Sequence, residues 1–275
     1  MEQKHEIRPG QSIELLKELH ILTRDGKLNQ DSRRKLKQVY HLYQFIEPLL
    51  KQVLDSNNSI NLVDHGAGKS YLGFILYDLF FKELESGSCI YGIETRDELV
   101  DKSKKLADKL GFKDMLFLNL SVADSIESSE LPDQVNIVTA LHACDTATDD
   151  AIRFALARKA QFIVLVPCCQ AEVASILRKN KSKSLGQNIL TEIWRHPIHT
   201  REFGSHITNV LRCLQLEAHG YQVNVTELVG WEHSMKNELI IATYKDLPHK
   251  RPTERLNELL QSLGLEELSQ LFFTD

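Results

Sequence analysis

Between Ile60 and Leu72 the chain reads INLVDHGAGKSYL: an apolar run, an acid at Asp64, two closely spaced glycines at Gly66 and Gly68, and a segment able to wind as a helix. A strand-to-helix turn of this composition lets the backbone approach a ligand closely, because neither glycine puts a side chain in the way. A second apolar run, CIYGIET, starts at Cys89 and carries an acid at Glu94. An acid at the tip of the second strand is where a nucleoside-binding α/β fold holds ribose hydroxyls. Together the two features point to a ligand containing adenosine.

Three such ligands compete. ATP needs the phosphate loop G-x-x-x-x-G-K-[ST]. Gly68-Lys69-Ser70 supplies its end, but Val63 stands where the first glycine is required, so the loop is too short to cradle phosphates. A dinucleotide needs G-x-G-x-x-G, and here the third glycine is replaced by Tyr71, which blocks the close helix approach. S-adenosylmethionine has no pyrophosphate and needs only an acid and a short glycine turn, which D-x-G-x-G provides. A glycine turn with no ligand is the bland alternative.

Around this motif the chain alternates short apolar runs with helical segments. Strands are expected near Asn61–Asp64, Cys89–Glu94, Met115–Asn119, Val135–Ala140 and Phe162–Val166. Helices are expected near Tyr71–Glu85, Asp97–Leu110, Thr148–Lys159, Ala171–Arg178 and Arg201–Gly220, with two closing strands at Tyr221–Leu228 and Glu238–Tyr244. Such alternation predicts an α/β fold: a Rossmann-like, seven-stranded, mostly parallel sheet with helices on both faces, the last strand pair antiparallel. An N-terminal helical segment precedes it, with helices over Ser12–Leu22 and Asp31–Leu54, the second open to a kink at Pro48. The implied divisions are residues 1–58, 59–247 and a C-terminal extension at 248–275, whose Thr253–Phe273 stretch is amphipathic and suited to pack on the domain or on a second subunit.

A length of 275 residues suits one large domain with such additions. No apolar run approaches the ~20 residues of a membrane span. The polar start MEQKHEIRPGQ lacks the apolar core of a secretory signal, and five cysteines, with Cys168 and Cys169 adjacent, do not suit a disulfide framework. A reduced, cytoplasmic setting is expected. The net charge of −5 argues against a generally basic nucleic-acid coat. Two local clusters run against it: Arg33, Arg34, Lys35 and Lys37 before the glycine turn, and Arg178, Lys179, Lys181 and Lys183 in the second half. Either could meet phosphates, and either could be a solvated face.

In open α/β sheets ligands sit beyond the carboxyl ends of the strands. LHACDTATDD follows the fourth strand and VPCCQAE the fifth, so His142, Cys144, Asp145, Cys168 and Cys169 are candidates for one cleft. Four roles are open to them. His142 or Asp145 could position and deprotonate an acceptor. A cysteine thiolate could act covalently. Zinc could bind, although adjacent cysteines span a tetrahedral site poorly, and no metal is expected. Finally, the cysteines could be small buried residues, with Asp145 or Thr146 capping the next helix.

With VDHGAGKSYL, the acid after strand two, LHACDTATDDAI, VPCCQ and SMKNELIIA in this order, the chain resembles the class I S-adenosylmethionine-dependent methyltransferases. Within them it is similar to a methyltransferase-like branch related to tRNA 2′-O-methyltransferases. The resemblance spans roughly Asp31 to Tyr244. It implies S-adenosylmethionine as cofactor, with Asp64, Gly66, Ala67 and Gly68 near its methionine part and Glu94 on the ribose. Val122, Ala123 and Asp124 would then lie near adenine and His142 near the methyl group, with Leu141 also on the cofactor. It implies RNA, tRNA first, as acceptor, a small-molecule acceptor second; a non-catalytic protein retaining the fold is a third reading. Three departures stand out. The family has K-G-x-L where this chain has Lys69-Ser70-Tyr71-Leu72, and no cysteine precedes Cys89 to form the zinc module of the tRNA enzymes. An Asn-Pro-Pro-aromatic motif is also missing after strand four, which disfavours methylation of exocyclic amines.

Overall fold

The computed structural model describes residues 7–84, 87–141, 146–167, 171–184, 189–228 and 238–273. Helix α1 (Ile13–Glu18) starts where the Ser12 hydroxyl accepts the Leu15 amide. It is shorter than its apolar spacing suggests, because His20 turns into the left-handed region at φ 54°. Helix α2 (Gln30–Asn57) is capped by the Asn29 side chain on the Ser32 amide and ends at a left-handed Asn58. It continues through Pro48. The missing proline N–H leaves one carbonyl of the preceding turn without its helical partner, and that turn is exposed at Gln44, where water can take it.

The remaining elements are β1 (Asn61–His65), α3 (Tyr71–Leu79), β2 (Cys89–Glu94), α4 (Asp97–Leu110), β3 (Met115–Asn119), α5 (Val122–Glu127), β4 (Ile137–Leu141), α6 (Ala147–Ala157), β5 (Phe162–Val166), α7 (Glu172–Ser184), α8 (Pro197–Ala218), β6 (Tyr221–Glu227), β7 (Glu238–Tyr244), α9 (Lys250–Leu263) and α10 (Ser269–Phe272). The seven strands form one sheet in the order β3-β2-β1-β4-β5-β7-β6. β1 to β5 pair in parallel, and β7 inserts antiparallel to both β5 and β6. This is the Rossmann-like α/β architecture expected from the alternating pattern. Helix α5 was not expected: its six residues are too short to show a period, and it is fixed by the Ser121 hydroxyl capping the Asp124 amide.

Both faces of the sheet are buried. On one, Leu62, Phe74, Ile90 and Phe117 pack with Leu15 and Leu16 of α1 and Leu36, Ile46 and Leu50 of α2 in a single cluster. On the other, Val63, Val138, Ile163 and Tyr221 pack with Ile152 and Phe154 of α6. The C-terminal stretch packs on its own domain, with Leu256, Leu260 and Phe272 against Leu177 and Leu211 of α7 and α8. Gly264, left-handed at φ 65°, divides it into two helices. No helix among the described residues is long and apolar enough to cross a membrane.

Candidate active site

β1 lies between β2 and β4, so the chain leaves it in one direction for β2 and β3 and crosses back for β4. Such a reversal opens a crevice at the carboxyl ends of the central strands. The glycine turn follows β1 at that point. Gly66 and Gly68 take φ values of 66° and 59°, which suit glycine. The turn is tied to β2: the Ala67 amide donates to the Ile93 carbonyl and the Gly68 amide to Glu94 Oε2, both at 2.9 Å.

The next position departs from glycine at a cost. Ser70 is fully buried and left-handed, φ 49° and ψ 39°. Its hydroxyl caps no helix amide and instead donates to Asp64 Oδ2 at 3.4 Å. Gly73 makes room for it, since a Cβ there would stand 2.5 Å from the Ser70 hydroxyl. Asp64 also accepts from Thr139 Oγ1 at 2.9 Å, its neighbour in register on β4. Burial pushes the Asp64 carboxyl up to about 6, against the pull of the Thr139, Ser70 and Gly73 donors. His65, next along β1, points to the other face beside the Phe154 ring. Both its nitrogens are buried without a hydrogen-bond partner, and burial pushes the imidazole down to about 4. It is neutral at physiological pH.

Glu94 ends β2 with its carboxylate fully engaged. Oε1 accepts the amides of Thr95 and Arg96 and the Arg96 Nε–H at 3.1 Å; Oε2 accepts the Gly68 amide and the Arg96 Nη2–H at 3.0 Å. Burial favours the protonated acid, but the Arg96 hydrogen bonds and charge, with the Gly68 amide, outweigh it and hold the group below the usual carboxylate range.

A cavity of about 630 Å³ opens onto the glycine turn, within the size range of small-molecule sites. Its floor is Asp64, Gly66, Ala67 and Gly68 with Leu141 and Val166 at the ends of β4 and β5; Lys69, Tyr71 and Arg96 stand around them. Its roof is the N-terminal segment: Leu19 and His20 after α1, and Lys35, Gln38, Val39 and Leu42 of α2. Thus Asp64, Gly66, Ala67, Gly68 and Leu141 come together, with Glu94 reaching the same place through Arg96 and the Gly68 amide. Val122, Ala123 and Asp124 open α5 and do not line the cavity. His142, Cys144, Asp145, Cys168 and Cys169 lie outside the described residues. Of the roof residues, Lys35 was singled out from the sequence, as part of a basic cluster that could meet phosphates; Leu19, His20, Gln38, Val39 and Leu42, with Lys69 and Arg96, were not singled out as site residues. The α2 spacing of Lys35, Gln38, Val39 and Leu42 does place them on one helical face, but nothing in the sequence says that this face meets the glycine turn.

Arg33, Arg34 and Lys37 are exposed on α2, while Lys35 is half-buried and ion-paired to Asp31 at 2.8 Å. Arg178 and Lys179 are exposed on α7; the side chains of Lys181 and Lys183 lie outside the description.

A family model described as a methyltransferase domain matches residues 34–176, from α2 through β5 into α7. The chain belongs to this family. The methyltransferase domain so defined contains the glycine turn, Glu94 and the α2 part of the roof. Among curated proteins, the chain is 24% identical over 239 residues to the mouse glutathione S-transferase C-terminal domain-containing protein, covering 80% of this chain and 35% of that one. The human protein of that description is 25% identical over 165 residues, covering 60% and 23%. The chain therefore spans about a third of the length of the mouse relative. Among solved structures, it is similar to a magnesium protoporphyrin IX methyltransferase from Synechocystis with bound SAH, at 14% identity and a TM-score of 0.43 over 84% of this chain and 93% of that one. An rRNA methylase from Streptococcus thermophilus gives 10% identity and 0.43 over 74% and 95%.

Proposed function

We propose that this methyltransferase domain uses S-adenosylmethionine to methylate RNA, with tRNA as the first candidate. The observation that carries the cofactor half is the tie between the glycine turn, which lines the cavity, and Glu94 behind it, whose carboxylate accepts the Gly68 amide. Gly66 and Gly68 leave space for the ligand's methionine part, and Glu94 would offer its carboxylate oxygens to a ribose diol in exchange for the Arg96 guanidinium that now holds them. The residues fit the cofactor, since a Cβ on Gly68 would meet nothing nearer than Arg96 Nη2 at 4.0 Å. When bound, the cofactor supplies an activated methyl group on a sulfonium. The protein's part is to hold the acceptor in line with it beneath α2 and to keep water out.

The RNA half is supported by α2 itself. One face of this helix lines the cavity with Lys35, Gln38 and Val39, and the same helix exposes Arg33, Arg34 and Lys37. A polyanion lying along those cations would bring a nucleotide to the cavity mouth. Isothermal calorimetry with S-adenosylhomocysteine tests the cofactor: Glu94→Ala should lose ten- to a hundredfold in affinity, the worth of about 1.5–3 kcal/mol for a hydrogen bond to a charged group. Unchanged affinity in a folded variant removes Glu94 from the site. Mass spectrometry of RNA nucleosides from cells with and without the gene tests the acceptor. If no modified nucleoside depends on the gene, a small-molecule acceptor takes first place.

A further inference from the structure

Arg96 occupies the place that the cofactor reading reserves for a ribose. Its guanidinium binds both oxygens of Glu94, through Nε at 3.1 Å and Nη2 at 3.0 Å. It also overlies the glycine turn, 4.0 Å from where a Gly68 Cβ would stand. One side chain therefore covers the two features that a nucleoside must reach. A cis-diol and a guanidinium make the same demand on a carboxylate, two donors to two oxygens. They cannot occupy these oxygens together, because Glu94 already accepts three backbone amides.

The Arg96 side chain is easy to displace. It is 62% exposed, and an ion pair in that setting is worth at most a few-fold in an equilibrium. Its backbone stays fixed, because the Arg96 amide remains on Glu94 and its carbonyl accepts the Leu99 and Val100 amides at the start of α4. The released guanidinium thus stays at the cavity wall. Lys69, exposed in the glycine turn and without an ion pair among the described residues, lines the same wall.

We propose that Arg96 is a latch on the ribose subsite, and that once displaced it forms with Lys69 a subsite for an anionic group of the acceptor, a phosphate. The two ligands then bind cooperatively, in either order. This rests on the cofactor reading given above. The coupling is reciprocal: an anion that draws Arg96 off Glu94 raises affinity for the nucleoside, as the nucleoside raises affinity for the anion.

The test is calorimetry of S-adenosylhomocysteine binding to the full chain, with and without millimolar inorganic pyrophosphate at matched ionic strength. Arg96→Ala should bind about fivefold more tightly than the wild type, with Arg96→Lys, whose ammonium cannot form the planar two-donor fork, between them. Pyrophosphate should tighten binding to the wild type by a similar factor and leave Arg96→Ala unchanged. No gain in Arg96→Ala overturns the latch. A gain there, with no pyrophosphate effect on the wild type or an equal effect on both, overturns the anion subsite. Wild-type binding that Glu94→Ala abolishes but Arg96→Ala does not raise sinks this inference alone. No binding by any variant sinks the cofactor reading and this inference with it.

Discussion

Asp64 and His65 are consecutive residues of β1 whose buried side chains face opposite layers of the molecule, and burial moves their titrations in opposite directions. The Asp64 carboxyl is raised from 3.8 to about 6, so the stability linked to it is fully present below 3.8 and is lost as pH rises through 6. The His65 imidazole is lowered from 6.5 to about 4, so its contribution is present above 6.5 and is lost as pH falls through 4. Between these limits the two effects oppose each other.

Replacing Asp64 by Asn removes one side of that balance. At pH 7.5 the variant should be more stable than the wild type by up to about 3 kcal/mol, at 1.36 kcal/mol per pKa unit. The gap should close by pH 4, where the wild-type carboxyl is protonated. Urea denaturation at several pH values measures it. A gap that does not change with pH would mean that Asp64 is not held in the strained, charged form. The gain in stability should come with weaker S-adenosylhomocysteine binding if Asp64 belongs to the site.

Ser70 carries two opposed terms. Its left-handed backbone costs about 1 kcal/mol or more in a residue with a Cβ, and its hydroxyl contributes one long hydrogen bond to Asp64. Ser70→Ala keeps the strain and loses the bond; Ser70→Gly loses both. The glycine variant should therefore be the more stable of the two by about 1 kcal/mol. Thermal melts that rank alanine above glycine would show that the backbone at this turn is unstrained.

Arg212 and Asp149 form a bidentate pair with both contacts at 2.6 Å and Arg212 fully buried, joining α8 to α6. Asp149→Ala leaves a buried guanidinium short of its counter-charge and should cost about 3–5 kcal/mol. The double replacement Asp149→Leu with Arg212→Met should recover much of that loss. A double change as damaging as the single one would contradict the desolvation argument.

If RNA lies along α2, replacing Arg33, Arg34 and Lys37 by alanine should flatten the dependence of tRNA affinity on salt. The log–log slope should fall by about 2, at about 0.7 per phosphate contact for a single strand. Filter binding at several salt concentrations reads the slope. Equal slopes would return these side chains to solvent.

The sheet was legible because its central strands are buried on both faces and read as unbroken apolar runs. FIVLV at β5 and CIYGIE at β2 begin and end where the sequence places them. The glycine turn was legible because its residues answer a local backbone requirement. What escaped was set by contacts between distant segments. Thr139 reaches Asp64 only through the β1–β4 register. The α2 face that roofs the cavity is fixed by how the N-terminal helices settle on the sheet. Arg96 is two residues from Glu94, yet no pattern rule says that its side chain folds back onto that carboxylate.

The core shared by α1, α2 and the sheet bears on how a ligand gets in. A lid on a hinge swings as a body, on the microsecond to millisecond scale. This roof is rooted through Leu16, Leu36 and Ile46 in the same apolar cluster as β1 and α3, and lifting it would expose that cluster to water. Entry is left to the exposed side chains at the rim, which reorient in nanoseconds. Stopped-flow traces of nucleoside binding should accordingly rise linearly with ligand concentration, with no plateau set by a slow opening step.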